Sequence, residues 1–125
     1  MSKRIIICAV LVFFALSMNV ALSDMEYPQE LMEASAPYPE VKIFQTANAS
    51  GTVMVGMESD DNLDQIFEFY KTELAANGWT ITAEDKQQGD FALMGEEGSN
   101  QVVVSIVSGG QSGKSTIMLR LAPKQ

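Results

Sequence analysis

Hydrophobic and polar residues alternate along most of the chain from residue 41 onward. Residues 41–46 and 52–58 predict two short strands, because alternation with a period of two is typical of a half-buried strand. Asn48, Ser50 and Gly51 lie between them and favour a turn. These residues therefore predict a hairpin whose second strand places three apolar side chains on one face: Val53, Val55 and Met57.

The pattern changes to helical spacing after residue 59. Apolar residues then recur three, four, seven and eleven positions apart, which predicts one apolar stripe on a helix: Leu63, Ile66, Phe67, Tyr70 and Leu74. Ser59 or Asp60 is the expected N-cap. Asn77 and Gly78 end the helix, with Gly78 in a left-handed cap and Trp79 packing back on the helix end.

Four further strands are predicted at residues 79–84, 90–95, 101–108 and 115–121. In the first of them, Ile81 and Ala83 are expected inward and Glu84 outward. The element order is then ββαββββ, with connections short enough for hairpins. We therefore expect an α+β fold, in which one helix packs on one face of a mostly antiparallel sheet of about six strands. A single domain spans residues 40–122.

The N-terminus has the pattern of an export signal. Lys3 and Arg4 precede an uncharged apolar run over residues 5–16, and small residues Ala21 and Ser23 fit the positions before a cleavage site. We expect residues 1–23 to be a signal peptide and the product to be exported, periplasmic or secreted, without a stable membrane anchor. The alternative is an uncleaved anchor, although the apolar run is short for a membrane span. Residues 24–39 form an acidic, proline-containing leader that is expected to be partly disordered or to lie along the domain surface.

Composition excludes several kinds of chemistry. The chain has no His and one Cys, Cys8, which leaves with the signal, so imidazole-based catalysis and disulfides are not expected in the exported protein. The net charge of −8 becomes −10 once Lys3 and Arg4 are removed. An acidic chain is unsuited to nucleic acid, whose phosphates need clustered cations. No enzymatic activity, cofactor or metal is expected.

Two local motifs have simpler structural explanations. Residues 108–115 mimic a phosphate-binding loop, but Ser108 stands where the first Gly is needed, and a strand is predicted where a helix should follow. Asp60, Asp61 and Asp64 resemble part of a calcium loop, yet they lack its alternating ligands and central Gly. We interpret the first as a hairpin loop and the second as helix capping.

The strand faces opposite the predicted core carry methionine and valine. This candidate interaction surface consists of Met54, Met94, Met118, Val103 and Val107. Three interpretations stay open: packing against the leader, a surface for a partner or apolar ligand, and a thioether metal site.

Part of the sequence resembles a small exported bacterial domain of unknown function. The resemblance is carried by Tyr38-Pro39-Glu40-Val41-Lys42, by a helix containing Phe69-Tyr70-Lys71 and Leu74, and by Gly78-Trp79. It covers about residues 37–121, and Val41 replaces the usual Ala. The resemblance implies export and a stable fold, and it carries no catalytic residues. We expect a non-enzymatic binding or accessory module of the bacterial cell envelope with an unknown envelope protein as partner, or alternatively a carrier of a small apolar ligand.

Overall fold

A computed structural model describes residues 25–109 and 113–124. It contains one 3₁₀ helix, one α-helix and six strands, in an order that confirms the predicted ββαββββ arrangement after the leader. Their bounds are Gln29–Glu33 for the 3₁₀ helix, Lys42–Ala49 (β1), Thr52–Ser59 (β2), Leu63–Ala76 (α1), Thr80–Gln87 (β3), Asp90–Glu97 (β4), Asn100–Val107 (β5) and Ser115–Pro123 (β6).

The six strands form one sheet in the order β1-β2-β6-β5-β4-β3, and every neighbouring pair is antiparallel. Strand β6 therefore lies between β2 and β5 and joins the two halves of the sheet. The α+β prediction is confirmed.

Helix α1 packs against β3, β4 and β5 through its predicted apolar stripe. Ile66, Phe67, Tyr70 and Leu74 are fully buried, and Leu63 packs partly buried at the edge of the same cluster. The strands contribute alternate residues to this core from one face only, which we call the inner face: Val53, Val55, Met57, Leu93, Val102, Val104, Ile106, Ile117, Leu119 and Leu121. The opposite face of the sheet is the outer face.

The helix begins with a different cap from the one predicted. Asn62 is the N-cap, its side chain accepts a hydrogen bond from the backbone N–H of Gln65 (2.9 Å), and the Gln65 side chain accepts one from the backbone N–H of Asn62 (3.2 Å). Ser59 instead accepts a hydrogen bond from the N–H of Asp61, and Asp60 pairs with Lys114. The expected C-terminal end is confirmed, because Gly78 has a φ of 88° and Trp79 behind it is buried.

The leader is part of the core, which corrects the expectation of a loose or surface segment. Leu31, Ala34 and Ser35 are fully buried. The carbonyl of Glu33 accepts a hydrogen bond from the indole Nε1 of Trp79 (3.0 Å). Trp79 and Leu31 share the core cluster with the inner-face residues, so residues 25–41 pack on the same side of the sheet as α1. These residues therefore do not cover the methionine-bearing face.

Both edge strands contain a β-bulge, between Ile43 and Gln45 in β1 and between Ile81 and Ala83 in β3. The extra residue reverses the alternation that follows it. Beyond the bulge in β3, Ala83 is exposed and Glu84 turns toward α1, where it pairs with Lys71 (3.5 Å). The predicted orientations of Ala83 and Glu84 are therefore wrong.

The predicted signal peptide, residues 1–23, lies outside the described residues. In the part of the chain that the structure describes, no helix is long and apolar enough to cross a membrane.

Candidate functional site: the outer face of the sheet

The structure brings the predicted interaction residues together on the outer face. Cα pairing aligns Met54 with Arg120, Arg120 with Val103, and Val103 with Met94, which forms one row across β2, β6, β5 and β4. Met118 lies two residues from Arg120 along β6 and thus faces the same side. Directly opposed side chains on one face of a sheet have Cβ atoms about 5 Å apart, so the row is continuous.

These side chains are only partly covered. Met54, Met94, Met118 and Val103 are half-buried, and Val107 is 41% exposed. Half-burial here comes from neighbours on the sheet, since α1 and the described leader lie on the inner face. The part of the outer face around this row is therefore an apolar surface that no other element of the described chain covers.

Phe44 belongs to this surface, and the sequence analysis missed it. The Phe44 ring lies over Gly56: a Cβ added to Gly56 would approach its Cζ to 2.9 Å and the Sδ of Met118 to 3.0 Å. The missing side chain at residue 56 thus lets an aromatic ring from the edge strand reach the central methionine. Phe44 is still 40% exposed. Phe44 is the extra residue of the bulge in β1 and has no Cα partner on β2, so its place on this surface follows only from the structure.

Arg120 is the second residue that the sequence analysis missed. It is exposed in the middle of the apolar row, with Met54 and Val103 as its cross-strand partners. Among the described residues, its guanidinium makes no ion pair or side-chain hydrogen bond. The signal in the sequence is a single charged residue, Arg120, at an outward position of an otherwise uncharged strand.

A separate open groove of about 510 Å³ lies on the helix side. Tyr38 and Pro39 form one wall, and Phe69, Thr72 and Glu73 of α1 contribute to the other. The Glu73 carboxylate is already engaged, because its Oε1 accepts a hydrogen bond from the backbone N–H of Ala36 (2.9 Å). None of the predicted interaction residues lines this groove.

Tyrosines anchor the leader near that groove. Burial and a hydrogen bond from its hydroxyl to Asp61 raise the pKa of Tyr38 to about 12. Burial also raises the pKa values of Tyr27 and Tyr70 above their usual range. The Tyr27 hydroxyl donates to the carbonyl of Ser35 (2.8 Å), whereas the buried Tyr70 hydroxyl has no hydrogen-bond partner among the described residues. Neutral tyrosines are therefore part of the folded state.

The three aspartates at the start of the helix each contact a different partner. Asp60 pairs with Lys114, Asp61 accepts from Tyr38, and Asp64 pairs with Lys86 (3.2 Å). Over residues 25–109 and 113–124, no group of three or more potential metal-binding side chains is found.

The segment that mimics a phosphate-binding loop leads into a strand. Residues 110–112 lie outside the described part, and Ser115 begins β6. A phosphate-binding loop must open a helix, whose N-terminal N–H groups face the phosphate, and no helix starts here. The interpretation as a connection within a hairpin agrees with the pairing of β5 and β6.

The fold and the outer face define a small α+β domain with an open apolar surface. A family model described as START domain-like matches residues 33–116, which is more than half of the chain. The chain belongs to this START domain-like family, and that membership is compatible with a binding role. No curated protein and no solved structure matches the chain.

Proposed function

We propose that this protein is a non-enzymatic binding module that holds a small apolar ligand on the outer face of its sheet. The observation that carries the proposal is the row of half-buried Met54, Val103 and Met94 beside Met118, on a face that neither α1 nor the described leader covers. Unbranched, polarisable methionine side chains adapt to ligands of irregular shape. START-like domains bind small apolar ligands, which supports the same function.

The dimensions of the outer face suit such a ligand. Six strands at about 4.8 Å spacing span about 24 Å across the sheet. Contiguous exposed apolar patches of a few hundred Å² on monomeric proteins often mark ligand or partner sites. Phe44 and Val107, two large apolar residues that are exposed on this face, extend the patch toward both halves of the sheet.

Binding of a neutral, apolar fluorescent dye such as Nile red tests this function. A double variant, Met54→Gln with Met118→Gln, keeps the side-chain length and replaces the thioethers with amides. We expect the dye affinity to fall several-fold while circular dichroism stays unchanged. Met32→Gln is the matched control, because Met32 is 46% exposed in the leader on the other side of the sheet. Equal dye affinity in the double variant and the wild type would contradict the proposal.

A second candidate is an accessory module of the bacterial cell envelope that binds a protein partner on the same face. The observation that favours it is the openness of the face, which spans eight residues of β5, or about 23 Å, along the strand direction. Its extent approaches the scale of a standard protein interface, about 800 Å² per partner.

Photo-cross-linking in cells separates this candidate from the first. A photoreactive residue at position 107 should give a defined protein adduct, and the same residue at position 32 should not. Identical adducts from both positions, or none from position 107, would contradict a protein partner on the outer face.

We also propose that the chain is exported and cleaved after Ser23. Lys3 and Arg4, the apolar run over residues 5–16 and the small residues Ala21 and Ser23 support this. Terminal sequencing of the exported protein should start at Asp24, and retention of Met1 would contradict cleavage. Fractionation of the culture then decides between periplasm and medium.

A further inference from the structure

Building on the proposed function, we infer that the ligand is a single-chain anionic amphiphile, whose acidic head group binds Arg120 and whose tail lies on the methionine surface. Arg120 is on β6, a central strand of the sheet. Its cross-strand partners are Met54 and Val103, and Met118 is its neighbour on the same strand face. A cation therefore stands among apolar side chains that could hold a tail.

The other cations of the described chain have partners or lie at an edge. Lys71, Lys86, Lys114 and Lys124 each form an ion pair with an acidic side chain. Lys42 is on the edge strand β1, with Glu58 as its Cα partner. Arg120 differs from all five in having an apolar Cα partner on each of two neighbouring strands.

No described acidic residue of the outer face lies beside Arg120. Asp85 is on the edge strand β3, three strands from β6. Asp90 aligns through Val107 with Thr116. Glu58 is the Cα partner of Thr116, which is four residues from Arg120 on β6, or about 13 Å along the strand. Glu96, on the second strand over, is paired with Lys124. An incoming anion therefore meets a guanidinium that no described carboxylate opposes.

The chemistry of arginine selects the head group. A guanidinium binds a carboxylate or phosphate through two parallel hydrogen bonds, and it gives up water more readily than an ammonium. A neutral ligand lying over Arg120 would remove water from an unpaired charge, which costs free energy. An anionic head group compensates that cost.

The net negative charge of the chain favours binding of a free amphiphile over binding to an anionic bilayer. The chain carries a net charge of −8, so an anionic membrane surface would repel it. A single-chain amphiphile brings one negative charge to one site.

The tail of the amphiphile can lie along either of two paths on the outer face. One crosses Val103 to Met94, about 10 Å over two strand intervals, and the other crosses Met118 to the Phe44 ring above Gly56.

Methyl NMR on the full chain labelled at methionine tests the inference with dodecanoate, used below its micelle concentration. We expect the Met54 and Met118 methyl resonances to shift on titration. The Met57 methyl should stay in place, because Met57 is fully buried on the inner face. Dodecyl maltoside has a neutral head and a tail one methylene longer. It should still bind about tenfold more weakly than dodecanoate, as expected for loss of a hydrogen bond to a charged group.

Arg120→Gln removes the charge and keeps most of the side-chain length. We expect it to weaken dodecanoate binding five- to tenfold and to leave dodecyl maltoside binding unchanged. Lys42→Gln is the matched control: it makes the same charge change at the sheet edge and should alter dodecanoate affinity less than twofold. If Arg120→Gln does not fold, Arg120→Lys replaces it, with a smaller loss expected because an ammonium cannot form the paired hydrogen bonds.

The outcomes separate this inference from the proposed function. Equal affinities of the wild type for dodecanoate and dodecyl maltoside overturn the role of Arg120. Equal affinities of the wild type and Arg120→Gln for dodecanoate do the same. In either case, Nile red binding that depends on Met54 and Met118 would still support the proposed function. Shifts at Met57 instead of Met54 and Met118 would move the ligand to the inner side and overturn the inference. A dimer in analytical ultracentrifugation that protects the outer-face methyls from the ligand would identify a second copy as the occupant, which also overturns it.

Discussion

Leu31→Ala tests the docking of the leader, the largest difference between the expected and observed structures. The Leu31 side chain is fully buried against the core. Removing a buried leucine side chain to alanine costs about 2–5 kcal/mol, from lost apolar transfer and from the cavity left behind. We expect the free energy of unfolding to fall by about 2–3 kcal/mol, near the lower end of this range. The leader can detach while the rest of the domain stays folded, so the loss cannot exceed the free energy with which the leader docks.

The assay is chemical or thermal unfolding of the wild type and the variant. For a domain of this size, 1 kcal/mol corresponds to about 4–8 °C in Tm, so Leu31→Ala should lower Tm by roughly 10–20 °C. Met32→Ala is the adjacent control: Met32 is exposed, and its replacement should cost less than about 0.5 kcal/mol.

Equal stabilities for Leu31→Ala and Met32→Ala would refute the argument, because a leader that rests loosely on the surface loses little from either change. Limited proteolysis gives a second measurement. Cleavage within residues 25–41 should accelerate in Leu31→Ala and stay slow in Met32→Ala.

Three other predictions follow from single contacts. Asn62→Ala should lower the free energy of unfolding in urea by about 1 kcal/mol, because the N-cap is lost. Asp60→Ala should lower it less, since Asp60 makes only an exposed ion pair. The reverse order would contradict the observed cap. Trp79→Phe should cost about 1 kcal/mol or somewhat more, because it removes the hydrogen bond to Glu33 and keeps an aromatic ring; an unchanged unfolding midpoint would contradict that bond. In the unfolded chain Tyr38 loses its proton near pH 10, whereas in the folded protein it keeps the proton until its pKa of about 12. The free energy of unfolding should therefore fall between pH 10 and 12. Phenolate absorbance near pH 10 in the folded protein would contradict the buried hydroxyls.

The sequence was sufficient for the regular part of the fold. Alternation and helical spacing identify every strand and the apolar stripe of α1, because these patterns record which side of each element faces the core. Gly78 at the helix end and the inward Val102, Val104 and Ile106 are where the sequence places them. The grouping of Met54, Met118 and Val103 on one face follows from the same alternation once neighbouring strands are known.

Features that depend on tertiary contacts could not be predicted in this way. A bulge has no alternation signal of its own, so alternation alone predicts the wrong face for Glu84. The leader is short, acidic and rich in proline, which is also the composition of a loose segment, and only the core surrounding Leu31 shows that it docks. The sequence does not single out Asn62 as the cap, because Ser59 and Asp60, which precede it, have the same capping chemistry. The strand order, which places Arg120 between Met54 and Val103, comes from long-range pairing.

That strand order also governs when the chain can fold. The β1–β2 hairpin and the β3–β4–β5 meander touch through β6, which is the last strand of the domain in sequence. During synthesis, neither half of the sheet can join the other until β6 has left the ribosome, and its pairing with β2 closes a loop of about sixty residues. A nascent chain therefore cannot complete its sheet until late in synthesis, and the unpaired edges of β2 and β5 stay exposed until then.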